Sequence, residues 1–258
     1  MQLKDQVCVV TGAGAGIGRA LAERFVSEGA KAVIAADIST DIGDVAAEIG
    51  AHGIVVDVAS EASIEGLIGE AEERFGPIDL FVANAGIGGF PGGAEVPDEE
   101  WQRIWDINVM HHVWAARHMV PRWTERGGGY LLTTASAAGL LSNLGTAPYT
   151  VTKHAAVGLA EWLAITHADD NIRVSVLCPQ GVRTAMTEGD DPAVANVVAH
   201  GLIEPSDVAD AVVHSSGPLI TRYMSPSIEQ IHKSKVKRVT SASTRNVHWP
   251  LTTMAAMA

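Results

Sequence analysis

"VCVVTGAGAGIGRALAERFVSEGAKAVIAAD", residues 7–37, decides how the chain folds. It opens on a β-branched run, "VCVVT", that ends in a glycine. "AGIGRALAERFVSEG" follows with apolar residues at helical spacing and closes on Gly29. "KAVIAAD" is a second strand-like run and ends on Asp37. A strand, a helix and a strand with short joins call for a parallel pair with the helix packed on one face.

The same alternation continues outward. "IGDVAAEIG" reads as a helix, "HGIVVDV" as a third strand, "SIEGLIGEAEERFG" as a helix and "IDLFVANAG" as a fourth strand. "PDEEWQRIWDINVMHHVWAARHMVPRW" is one long helix or a broken pair, with Trp101, Ile104, Trp105, Met110 and Val113 as its apolar stripe. "GYLLTTAS" is a strand, "YTVTKHAAVGLAEWLAITHA" a long helix, "IRVSVLCP" a strand, and "PLIT" a short seventh one. No repeat or linker interrupts the pattern. The expectation is one α/β domain over residues 1–258, doubly wound in the Rossmann manner, with about seven parallel strands and helices on both faces. Residues 184–203 mix Gly, Asp and Pro with short apolar pieces and read as a substrate loop.

The bulk numbers agree with a globular protein. The 258 residues are 47% hydrophobic and 19% charged. A net charge of −12 disfavours holding nucleic acid through its phosphates. After Glu229 no acid occurs, while Lys233, Lys235, Lys237, Arg238 and Arg245 follow. That tail reads either as a basic patch or, more simply, as a solvated terminus. Cys8 and Cys178 lie in apolar strand-like runs and read as buried free thiols. No window is apolar for the ~18 residues a membrane span needs, and the start of the chain shows no secretory pattern. A cytoplasmic protein with no membrane partner is expected.

Gly12, Gly14, Gly16 and Gly18 do not fit G-x-G-x-x-G, because position 17 is Ile; they fit T-G-x-x-x-G-x-G. Small residues there let backbone approach a pyrophosphate, and the helix N-terminus that follows favours its charge. Asp37 ends the second strand 19 residues after Gly18, where an acid accepts hydrogen bonds from an adenosine ribose and repels a 2′-phosphate. NAD(H) is therefore expected over NADP(H), with Ile17 and Ile38 in the same cofactor-binding set. Asp57 and Val58 are read as ending strand three, beside an adenine; Asn84, Ala85 and Gly86 end strand four, and "CPQGVRT" ends strand six. Ligands of open α/β sheets bind beyond those carboxyl ends.

"PYTVTKHAA", residues 148–156, adds chemistry. Tyr149 and Lys153 are i and i+4 on one helix face, and Pro148 suits the first turn. An ammonium beside a phenol, at a helix N-terminus, is expected to lower the phenol's pKa from ~10 and make Tyr149 an acid/base. Ser136, 13 residues earlier, is placed to donate to the same substrate oxygen. His111, His112 and His118 lack H-E-x-x-H and a completing acid or Cys, so no metal is expected and they read as surface or interface histidines. His154 points off the Tyr149–Lys153 face, and the tryptophans of 101–123 read as core or interface.

"TGAGAGIG", "NAG", Asn108 in "DINV", Ser136 and "YTVTK" together resemble the short-chain dehydrogenase/reductase family, from about Val7 to Thr184. The resemblance implies that Tyr149 is the general acid/base, and that Lys153 tunes it and binds the nicotinamide ribose. It implies that Ser136 orients the substrate, and that Asn108 kinks its helix and holds a relay water. Thr11 and Asn84 would brace the loop; Pro179, Val182 and Thr184 would border the nicotinamide. It implies a homodimer or homotetramer paired through the long helices, and oxidation of an alcohol by NAD+ or the reverse. Two departures stand out: Gln180 replaces the family's usual glycine after strand six, which either makes it a candidate substrate contact or only changes the turn, and residues 230–258 match no family feature. Leu141, Leu144 and Met186 are expected to make an apolar pocket wall, hence a hydrophobic secondary alcohol or ketone. The rival expectation is an NAD(H)-binding scaffold or sensor without turnover.

Overall fold

A computed structural model describes residues 2–143, 145–187, 201–214 and 222–224. Val7–Thr11 forms β1, Gly16–Ser27 α1, Ala32–Asp37 β2, Ile42–Glu48 α2, His52–Val55 β3, Glu61–Phe75 α3 and Leu80–Ala83 β4. Asp98–Trp105 forms α4, which runs through a π-helical segment, Asp106–Met110, into α5, His111–Arg126. Gly129–Thr134 is β5, Ala147–Thr166 α6, Ile172–Pro179 β6, Pro205–His214 α7 and Arg222–Met224 β7. The strands lie in the order β3-β2-β1-β4-β5-β6-β7, all parallel. The order reverses between β1 and β4, which opens a crevice at their carboxyl ends.

Both faces of the strands are apolar because both are covered. Along β1, Val7 and Val9 face a core shared with Phe81, Met119, Trp123, Ala156 and Leu163. Cys8 and Val10 face the opposite core, with Leu21, Phe25, Ile42 and Val212. Trp123 is fully buried and donates its indole N–H to the Ile78 carbonyl at 2.8 Å, which settles that residue as core. Cys8 and Cys178 are buried free thiols, as expected, and burial pushes each up to about 12. No helix among the described residues is long and apolar enough to cross a membrane.

Some expected boundaries differ. β3 stops at Val55, so Asp57 and Val58 lie in the turn beyond it, where Asp57 Oδ1 accepts from Ala59 N at 2.9 Å. β4 stops at Ala83, because the next amide, Asn84 N, is taken by the Thr11 hydroxyl at 3.0 Å rather than by a neighbouring strand. The stretch "PLIT" lies outside the described residues; the seventh strand is Arg222–Met224, in register Leu177↔Arg222 with β6. Residues 188–200 of the expected substrate loop, Leu144 and residues 230–258 also lie outside the described residues.

The surface reading of His111 and His112 is overturned. Both are fully buried, in an i, i+4 stripe with Ala115, Ala116 and Met119 on the inner side of α5. Burial pushes His111 down to about 3 and His112 well below its ordinary 6.5. A folded-state value below the unfolded one contributes stability that is present above pH 6.5 and is lost as pH falls through the window toward the folded value. Among the described residues neither ring nitrogen of His112 has a hydrogen-bond partner. His112→Phe is therefore expected to raise the unfolding free energy at pH 7 by about 1 kcal/mol, since it removes an unsatisfied buried polar group. It is also expected to shrink the stability lost between pH 6.5 and 4.5, read by denaturant titration at each pH. An unchanged acid limb would contradict the assignment.

Candidate functional site

Chain segments from the ends of β1, β2, β4, β5 and β6 meet at one carboxyl edge of the sheet. The loop after β1 is the first. Gly12 has φ of 65°, and a Cβ on it would stand 2.8 Å from Ala85 Cα. A Cβ on Gly18 would stand 2.0 Å from the Gly12 carbonyl oxygen. Only glycine allows this approach, so the loop is tight against the loop after β4 while Gly16–Ser27 begins its helix there. The cradle fits a pyrophosphate through its glycine backbone and the helix N-terminus that follows. Ile17 is half-buried at the start of α1.

Asp37 stands at the end of β2, half-buried, with its carboxylate toward the same loop; Gly14 N donates to its Oδ2 at 2.9 Å. Ile38 beside it is 68% exposed, an apolar face turned outward at this edge. Val58 is 9% exposed, with its side chain in the core beneath that edge. Asp57 is exposed there.

The loop after β4 is held by two side chains. Thr11 Oγ1 accepts from Asn84 N and Ala85 N at 3.0 and 3.2 Å, and Asn84 Nδ2 donates to Thr11 O at 3.0 Å. Both residues brace, as the resemblance implied. Asn108 lies fully buried within the π-helical segment. Its Oδ1 accepts from Ile87 N at 2.9 Å, and its Nδ2 donates to Ile87 O at 3.0 Å and to Thr152 Oγ1 at 3.3 Å. It thereby ties this loop to α6. Gly86 passes between, and a Cβ on it would meet Asn108 Oδ1 at 3.1 Å and Lys153 Nζ at 3.2 Å.

The chain after β5 brings the chemical groups. Thr146 caps α6 by accepting from Tyr149 N at 3.4 Å, and Pro148 sits in the first turn. This places Tyr149 and Lys153 together: Lys153 Nζ lies 5.6 Å from the Tyr149 ring centroid. Lys153 is 3% exposed and donates to the Thr134 carbonyl at 3.1 Å. Ser136 follows β5, and its Oγ accepts from Ala138 N at 3.1 Å, which leaves its own hydrogen free to donate. Burial pushes the Tyr149 phenol above its ordinary value, against a hydrogen bond from Ser136 that lowers it. This reverses the expected direction. The reason is that desolvation of the phenol itself outweighs what lowers it; burial also pushes the Lys153 ammonium down to about 8.

The end of β6 closes the site. Pro179 ends that strand, Gln180 is half-buried after it, and Val182 bridges to Ile203. Thr184 stands over the glycine loop; a Cβ on Gly16 would meet its Cγ2 at 3.0 Å. The structure thus brings the glycine loop, Asp37, Asn84, Gly86, Asn108, Ser136, Tyr149, Lys153 and Thr184 together at one edge. Sequence reading missed Thr134, Thr152, Ile87 and His111, whose Nε2 lies 3.1 Å from Thr11 Oγ1. His111 was findable three residues past Asn108, on the same helix face. Among the described residues no group of three or more His, Cys, Asp or Glu is placed to hold a metal.

Residues 6–194 match the family model described as short chain dehydrogenase. The 1-deoxy-11-beta-hydroxypentalenate dehydrogenase of Streptomyces avermitilis is 37% identical over 226 residues, covering 84% of this chain and 83% of that protein. The 3beta-hydroxysteroid dehydrogenase 2 of Eggerthella lenta is 34% identical over 195 residues, covering 72% and 75%. A solved 7 alpha-hydroxysteroid dehydrogenase, complexed with NADH and 7-oxo glycochenodeoxycholic acid, superposes with a TM-score of 0.79 at 29% identity, covering 87% of this chain and 94% of that one.

The buried ammonium has a thermodynamic signature. Its folded value of about 8 lies below the unfolded 10.5, so the folded state is penalised below pH 8 and the penalty is relieved as pH rises from 8 to 10.5. In that window wild-type stability should gain up to about 1.4 kcal/mol per pH unit relative to Lys153→Met. Denaturant titrations of both proteins at pH 7.5, 9 and 10 read the difference; parallel curves would place the ammonium in a wetter setting than described.

Proposed function

The chain belongs to the short-chain dehydrogenase family, and on that footing we propose that it moves a hydride between NAD(H) and a hydrophobic secondary alcohol or ketone. The observation that carries the reading is the cluster of Ser136, Tyr149 and Lys153 beside the glycine cradle. Asp37, at the end of β2, supports NAD(H) over NADP(H), because its charge opposes a 2′-phosphate. The NADH in the related hydroxysteroid dehydrogenase supports the same choice. Gly12, Gly16, Ile17 and Gly18 would hold the pyrophosphate, and Asp37, Ile38 and Asp57 the adenosine. Asn84, Ala85, Gly86, Pro179, Val182 and Thr184 would border the nicotinamide end.

When bound, the dinucleotide supplies the hydride acceptor or donor. The chain supplies the proton and the aim. In the reducing direction Tyr149 gives its phenolic proton to the carbonyl oxygen. Its raised value keeps that proton in place at neutral pH, while Lys153, at about 8, still carries most of its charge. The ammonium then stabilises the phenolate that remains. Ser136 donates to the same oxygen and polarises it. In the oxidising direction the alcohol's hydroxyl proton passes to the phenolate. Asn108 holds the loop after β4 in place and, following the resemblance, a relay water.

The rim of the site supports an apolar substrate. Phe90, Leu141 and Met186, from the loops after β4, β5 and β6, are 42%, 50% and 46% exposed. The relatives' names speak of hydroxypentalenate and hydroxysteroid substrates. Gln180 is the polar candidate at that rim. A panel of cyclic and acyclic secondary alcohols, read at the nicotinamide absorbance, tests the reading. Tyr149→Phe is expected to lower kcat about 10²- to 10⁴-fold on any substrate found, with NADH binding retained. Full activity in that variant would refute the acid/base assignment, and NADH binding without turnover of any alcohol would favour a sensor.

We also propose a homo-oligomer paired through α5 and α6. Val113, Ala116, Val120, Leu159, Trp162 and Leu163 line a groove of about 310 Å³ between these helices. Trp162 and Ile165 are 58% and 50% exposed beside it. A second copy covering them would bury apolar surface that is otherwise open to water. Trp162→Glu should shift the particle mass to that of a smaller species in light scattering; an unchanged mass would move the interface elsewhere. The two buried free thiols support a reducing, cytoplasmic setting.

A further inference from the structure

Asp37 has partners inside the protein as well as the ribose it is proposed to read. Gly14 N donates to its Oδ2 at 2.9 Å, and Ser39 N donates to its Oδ1 at 3.1 Å. One residue earlier, Ala13 N donates to the Ala36 carbonyl at 3.1 Å. Two consecutive amides of the glycine loop are therefore laced to the end of β2, one to main chain and one to the carboxylate. The approach is close: a Cβ on Gly14 would stand 3.0 Å from both Cγ and Oδ2 of Asp37.

We propose that Asp37 is a latch on the glycine loop, so that the residue that selects the cofactor also shapes the phosphate cradle. The inference rests on the dinucleotide reading of the same site. A carboxylate oxygen accepts about two hydrogen bonds, so each Asp37 oxygen, with one amide already on it, keeps capacity for a ribose hydroxyl. The latch and the ribose contact are therefore compatible. The loop that the latch holds is "GAGAGIG", residues 12–18, whose glycines have wide conformational freedom when unrestrained. With the latch in place that freedom is already given up before the ligand arrives. Without it, ordering the loop is charged to binding, and both NAD(H) and NADP(H) bind more weakly.

This makes truncation and neutralisation at Asp37 differ. Asp37→Ala removes the charge that opposes a 2′-phosphate and also removes the acceptor for Gly14 N. Asp37→Asn removes the charge and keeps one carbonyl oxygen for that amide, while the exposed Ser39 amide turns to water. Gly14→Ala leaves the carboxylate intact and pushes it away from the loop. If the carboxylate served the ribose alone, the first two changes would admit NADPH equally.

The test uses the full chain and these three variants, with folding checked by circular dichroism. Two readouts apply: amide hydrogen exchange across residues 12–18 without nucleotide, and NADH and NADPH dissociation constants from nicotinamide fluorescence. In Asp37→Ala, exchange at residues 13–16 should speed up, NADH should bind about tenfold or more weakly, and NADPH should bind no tighter than to wild type. In Asp37→Asn, exchange should stay close to wild type and NADPH affinity should exceed that of the Ala variant. Gly14→Ala should match the fast exchange, and it decides the matter if the Ala variant does not fold. Wild-type exchange in both Asp37→Ala and Gly14→Ala, or equal NADPH gains in Ala and Asn, would overturn the latch. Tighter NADPH than NADH binding to wild type would instead overturn the cofactor reading, and the exchange data would still judge the latch.

Discussion

The site is organised around one buried charge. Lys153 is 3% exposed, and its ammonium reaches the Thr134 carbonyl at 3.1 Å. Taking a lysine from about 10.5 to about 8 corresponds to roughly 3 kcal/mol of unfavourable charging in the folded state. The fold tolerates that because the sheet and the helices on both its faces bury ample apolar surface elsewhere. The gain is positional. A buried cation held on the Thr134 carbonyl is fixed in place one helical turn from the Tyr149 ring. A surface lysine at the same spacing would spend its time in water and do little for Tyr149.

Holding the ammonium in place requires the two loops beside it to be rigid, and polar side chains below the edge provide that. Thr11 joins β1 to the loop after β4 by accepting two of its amides. Asn84 Oδ1 accepts from Thr134 Oγ1 at 3.1 Å, and Thr134's own carbonyl receives Lys153. Asn108 spans from the same loop to Thr152 on α6. A π-helical segment inside a long helix is uncommon, and its occurrence at Asn108 fits a helix distorted to aim one side chain. Each hydrogen bond in this set is modest, but every loop in it is held at more than one point.

How much of this was legible in the sequence depended on the kind of information each feature carries. The parallel sheet was readable because the buried strands are short, mainly apolar runs and the crossover helices keep an apolar stripe, signals that survive without tertiary detail. Tyr149, Lys153 and Ser136 were readable because helix periodicity and a strand end place them. Strand ends were read too long at Val58 and Gly86, since loops there are stopped by side-chain acceptors, Asp57 and Thr11, that lie outside any propensity argument. His111 and His112 were misread because burial of a polar residue depends on which face of α5 meets the sheet. The sign of the Tyr149 shift was missed for a related reason: a charge–phenol pair was weighed without the desolvation that placing it under two loops entails.

That reversed sign bears on the proton rather than against it. A phenol held below neutral pH would be a ready base and a poor acid. A phenol held above its ordinary value is a proton reservoir that needs a trigger. In the proposed reaction the trigger is charge developing on the substrate oxygen, which Ser136 and the phenolic proton would meet together, with the Lys153 ammonium 5.6 Å from the ring centroid. Stabilisation then falls mainly on the transition state, because the ground-state pair is a neutral phenol and a desolvated cation that interact weakly. On the proposed reading, a phenol held above its ordinary value by its own burial fits proton transfer concerted with arrival of the hydride better than prior ionisation of Tyr149.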